Sequence, residues 1–102
     1  MILANVQLSQ IDPLKQVRLC NELLATIQLC VGRHEIVVQV IPVRVETVRV
    51  GNFTPGRQGM IVIYHDGEFN DKTLRKNLLN ELRQLWGDQF PFRIRFVNFE
   101  SA

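Results

Sequence analysis

The chain has 102 residues, 46% of them hydrophobic and 22% charged, with a formal net charge of +2. That describes one domain, residues 1–102, with one core and too many large apolar side chains for disorder. The charge is too small to argue for a nucleic-acid partner, and no apolar run approaches the roughly 20 residues that span a bilayer.

Met1-Ile2-Leu3-Ala4-Asn5-Val6 has no basic segment before it and no long apolar centre. It reads as a first strand over 1–8 and not as a signal peptide, so a cytoplasmic location is expected. Ser9 or Asp12 can cap a helix, and Pro13 suits its first turn because the missing N–H is not needed there. Leu14, Val17, Cys20, Leu24, Ile27 and Val31 recur at helical spacing, with Leu23 and Cys30 beside them, and Gly32 is the stop. Cys20 and Cys30 point in different directions from one helix, so free thiols are expected. They have no CxxC spacing, and neither a metal nor a cofactor is expected.

Ile36-Val37-Val38-Gln39-Val40-Ile41 is nearly all apolar, which predicts a strand covered on both faces, with Pro42 at an edge or bend. Val43-Arg44-Val45-Glu46 alternates, and Thr47-Val48-Arg49-Val50 alternates in the other phase, so a bulge or new strand is expected near Thr47. Residues 51–59 are the one long loop. Met60 to His65 is a strand closed by the turn pair Asp66-Gly67. Asn70 or Asp71 caps a second helix with the stripe Leu74, Leu78, Leu82, Leu85, flanked by Leu79 and Trp86 and ended by Gly87. Phe92-Arg93-Ile94-Arg95-Phe96 is a last strand with two arginines on one face.

The order is β-α-β-β-α-β, an α+β fold. Offsetting the chain by 59 residues aligns Met1-Ile2 with Met60-Ile61, Asp12 with Asp71, Leu19 with Leu78, Asn21-Glu22-Leu23 with Asn80-Glu81-Leu82, and Val38 with Val97. Chance would supply roughly three such identities, fewer than half of these. Two pseudo-repeats, 1–50 and 60–100, are therefore expected, each a β-α-β unit whose crossover makes its strands parallel.

This arrangement resembles the tautomerase superfamily, which includes 4-oxalocrotonate tautomerase and macrophage migration inhibitory factor. The closest local matches are Gly32-Arg33 leading into the strand that ends at Pro42, and Arg93-Ile94-Arg95-Phe96-Val97-Asn98-Phe99-Glu100. The resemblance implies a four-stranded sheet with both helices on one face, assembly as a homotrimer, and isomerase chemistry on small keto or enol acids. The family's base is an N-terminal proline, whose secondary amine can shuttle protons when its pKa is lowered. Residue 2 here is Ile2, and a large residue there normally leaves Met1 in place. The resemblance thus implies an N-terminal pocket at Met1 and Ile2 without the usual shuttle, and a diverged or inactive relative. Basic candidates for binding a substrate carboxylate are Arg33, Lys15, Arg44 and Arg95.

Other chemistries are poorly supported. His65 beside Asp66 has no placed nucleophile, and the turn accounts for Asp66. RNA binding through a ferredoxin-like sheet would need aromatics on the first strand, which has none. A ferredoxin-like module that binds or assembles without catalysis has the same element order and stands as the alternative.

Overall fold

Asp12 and Asp71 do the same work in each half of the molecule. The Asp12 carboxylate accepts from the Leu14 backbone N–H at 2.9 Å, and Asp71 accepts from Thr73 at 2.8 Å. Each satisfies an N–H that has no partner inside its own helix. A computed structural model describes residues 1–8, 12–32, 34–42, 59–87, 90 and 92–101. The elements run β1 (Ile2–Leu8), α1 (Pro13–Val31), β2 (Ile36–Pro42), β3 (Gly59–His65), α2 (Lys72–Trp86) and β4 (Phe92–Asn98), followed by one 3₁₀ turn at Phe99–Ser101. Gly32 and Gly87 follow the two helices as expected. The bulge or strand expected near Thr47 lies outside the described residues, as does most of the 51–59 loop.

The sheet order is β2-β1-β3-β4. β1 pairs β2 in parallel, β3 pairs β4 in parallel, and the two pairs join through the antiparallel β1·β3 ladder. A ferredoxin-like split β-α-β would separate the two parallel strands of each unit. Here they are direct neighbours, and that alternative is corrected.

Ile2, Ala4, Val6 and Leu8 of β1 and Ile61 and Ile63 of β3 point to one face and are buried there. Leu19, Leu23 and Ile27 of α1 and Leu78, Leu82 and Trp86 of α2 belong to the same core. Both helices therefore cover one side of the sheet, and among the described residues no α-helix or strand covers the other. At an offset of 59, Leu19, Leu23 and Ile27 fall on Leu78, Leu82 and Trp86, all buried. The offset then drops to 58: Ile36 pairs Ile2, and its counterpart Ile94 pairs Ile61. Val38 and Val97 are thus not equivalent. Val38 packs on the core, whereas Val97 pairs Tyr64 in the opposite phase.

Three expectations about faces are corrected. Leu14 and Val17 are 81% and 60% exposed, because the sheet meets the stripe beginning at Leu19. Leu85 is likewise half exposed. β2 lies at an edge of the described sheet, and Val37, Gln39 and Ile41 are exposed, so only one of its faces is covered. Gly59 belongs to β3 and not to the loop. A Cβ there would sit 2.5 Å from Phe90 Cζ and 3.0 Å from Leu8 Cδ2, so the missing side chain lets the Phe90 ring approach the strand.

Candidate functional site

The β1·β3 register pairs Leu3 with Tyr64. Two residues further along that ladder, the chain start meets the turn after β3. The Met1 ammonium donates to Asp66 Oδ2 at 2.7 Å and lies 3.8 Å from Glu68 Oε2. Glu68 is held in turn, since its Oε1 accepts from the Asp66 N–H at 2.7 Å. The Asp66 hydrogen bond raises the pKa of this amine above its ordinary value; partial desolvation opposes it, and the Asp66, Glu68 and Glu35 charges reinforce it. A protonated ammonium cannot accept a proton. Behind it, Ile2 is fully buried, and its N–H donates to the Glu35 carbonyl at 2.8 Å. Ile2 is thus a core residue, not a pocket wall.

His65 closes β3 beneath this turn and is 2% exposed. Its Nδ1 accepts from the backbone N–H of Gly67 at 3.0 Å and of Phe69 at 3.3 Å. Its pKa is lowered, first by burial and then by the Arg75 charge, against the pull of Glu68 and Asp66. A neutral acceptor ring that shapes a turn is a structural histidine.

The described concavity lies at the other end of the sheet, between the helices. It is open to solvent, with a volume of ≈ 160 Å³. Leu19, Trp86 and Phe90 form its apolar part, with Leu85 at the mouth and Lys15, Arg18 and Glu22 on the α1 side. Glu22 organises it. Its Oε1 accepts from Arg18 Nε at 2.7 Å, and its Oε2 accepts from the Trp86 indole N–H at 2.7 Å. The indole stands edge-on to Phe90 and Phe92, with centroids 5.3 and 5.2 Å away.

The described candidates Met1, Lys15 and Arg95 do not lie together. Lys15 opens α1 at the far end of β1 from Met1, about 20 Å away at the rise of a strand. Arg95 is exposed on the face of β4 away from the helices, level with Val62 and Asn5. Arg33 and Arg44 lie outside the described residues. Sequence reasoning missed Asp66 and Glu68 as partners of the chain start. No local signal marks them, because only the β1·β3 register brings residues 65 apart together. It also missed the Glu22–Trp86 bond, which joins residues 64 apart. Among the described residues no cluster of His, Cys, Asp and Glu could hold a metal ion, and no helix is long and apolar enough to cross a membrane.

By sequence the chain matches no family model and no curated protein. Solved structures do match. Pt0534 inactivated by 2-oxo-3-pentynoate is similar at a TM-score of 0.76 and 13% identity, over 95% of this chain and 85% of that one. A wild-type fused 4-OT symmetric trimer gives 0.74 and 14%, over 95% and 85%. A macrophage migration inhibitory factor-like protein from Entamoeba histolytica gives 0.72 and 14%, over 96% and 88%. At these identities the likeness is one of backbone architecture, and the chain carries the tautomerase-like fold.

Proposed function

We propose that this is a homotrimeric relative of the tautomerases in which the proton shuttle is lost, leaving weak or no isomerase activity on small keto or enol acids. One observation carries the reading. The amine at the start of β1 is held as an ammonium by Asp66 at 2.7 Å, whereas a shuttle needs an amine that is neutral for part of each cycle. The matched caps and buried positions of the two units support reading them as pseudo-repeats of one domain. Self-association is supported by exposed Val37 and Ile41 on β2 and by the similarity to a chain solved as a symmetric trimer.

With phenylpyruvate and 2-hydroxymuconate as substrates, turnover is expected to stay near the buffer rate. Intact mass on the same sample is expected to show Met1 retained. Robust turnover that disappears in Arg33→Ala would overturn the loss of catalysis. In sedimentation equilibrium at micromolar concentration the mass is expected to be three times that of the chain, and a monomer would overturn the assembly.

A further inference from the structure

The cavity between α1 and α2 is about one sheet length from Met1 and plays no part in the reading above. We infer that it is a binding site for a small amphipathic carboxylate, with an aryl or branched-alkyl body held against Trp86, Leu19 and Phe90 and its anionic end on Lys15.

Size comes first. An apolar cavity of about 150 Å³ is large enough to take up benzene, and this open, partly charged concavity offers a similar volume of ≈ 160 Å³. Its inner wall is apolar and aromatic, with Leu19 and Trp86 buried. Ring edges are already engaged there, since Phe90 and Phe92 meet the indole at right angles. A ligand ring would extend that cluster toward Leu85 at the half-exposed mouth.

Charge decides the other end of the ligand. Among the described residues the cavity has two cations, Lys15 and Arg18, and one anion, Glu22. Both Glu22 oxygens already accept, one from Arg18 Nε and one from Trp86 Nε1. The Arg18–Glu22 pair is therefore internally neutral, and Glu22 is fixed by the indole below it. Lys15 stands one helical turn from Leu19 with no ion-pair or hydrogen-bond partner among the described residues. The net charge of the described wall is positive, which favours a carboxylate over an amine or a neutral molecule.

Trp86 supplies the test, because it is the only tryptophan in the chain. The probe is 3-phenylpropionate, with 3-phenylpropionamide as the matched neutral molecule. Neither absorbs where tryptophan is excited selectively. At the affinity per atom usual for ligands of this size, the carboxylate is expected to give a saturable change in fluorescence with a low-millimolar dissociation constant. The amide is expected to bind several-fold more weakly.

Lys15→Gln is expected to weaken the carboxylate about twofold to fivefold and leave the amide unchanged. Leu85→Asp sets a like charge at the mouth and is expected to abolish carboxylate binding. Both positions are exposed, and unchanged thermal melts would show both variants folded. Amide chemical shifts should move around Lys15, Leu19 and Trp86, together with the single indole N–H signal. The inference is overturned by no saturable signal up to about 10 mM, by equal binding of amide and carboxylate, by full affinity in Lys15→Gln, or by shifts confined to the open sheet face or the Met1 end.

Discussion

Phe69→Ala is expected to lower the unfolding free energy by about 3–5 kcal/mol, the range for truncating a fully buried aromatic. Phe69 is 1% exposed although it lies in the turn between β3 and α2, outside any regular element. Its ring stands edge-on to His65 at 5.8 Å and tilts against Phe96 at 5.0 Å, so it joins the β3 end to β4. Truncation leaves those two rings facing a void that a sheet cannot close without breaking its ladders. The measurement is the urea midpoint, which should fall with the slope unchanged. Leu14→Ala is the control: at 81% exposure it is expected to shift stability by less than about 0.5 kcal/mol. A Phe69→Ala loss below about 1 kcal/mol would show that this turn does not belong to the core.

His65→Ala is expected to cost about 2–4 kcal/mol. It deletes buried volume and removes the acceptor for the Gly67 and Phe69 N–H groups. His65 and Phe69 touch, so the two losses should not add. The histidine also has a pH signature. Burial lowers its folded pKa below the ordinary 6.5, so the unfolded chain takes up a proton that the native ring refuses. Its contribution is complete above pH 6.5 and is lost as pH falls from there through the folded pKa. His65→Asn retains a side-chain acceptor but does not titrate. The stability difference between wild type and His65→Asn should therefore shrink on acidification below pH 6.5. A difference that stays constant from pH 8 to pH 5 would mean that the ring titrates alike in the folded and unfolded chain.

Much of the architecture could be read from local chemistry. Asp12, Pro13 and Asp71 mark helix starts because an N-terminal turn needs acceptors and can spare an N–H. Asp66-Gly67 marks a turn, and Arg93 and Arg95 alternate out of a core-facing Ile94. The phase of the first helix was not legible in the same way. α1 is apolar on more than one side, so Leu14–Val17–Cys20 and Leu19–Leu23–Ile27 are both consistent stripes, and only the position of the sheet selects the second. β2 shows the same ambiguity. A continuous run of valine and isoleucine cannot distinguish two covered faces from one covered face and an edge.

The site was less legible than the fold, for a related reason. Ile2 in place of proline is visible at once, and it directs attention to the chain start. The partner that keeps that start protonated is Asp66, whose turn signal hides any other role. Lys15 could be picked out by charge. Its neighbour across the cavity, Trp86, has the spacing of an ordinary core residue, and nothing within either helix reveals the Glu22 bond between them.

The strand order has a consequence for how the native state opens. β1 and β3 occupy the middle of the sheet, yet they are the first strands of different β-α-β units. Each central strand is sealed on one side by its own unit and on the other by the opposite unit. Unravelling either unit alone would strip one ladder from a central strand of the other, so neither half can open as a private event. Among the described elements, local fluctuations thus belong to β2 and β4 and the ends of the helices. Backbone amides of β1 and β3 can meet solvent only when the whole domain unfolds, and deuterium should enter them last and together.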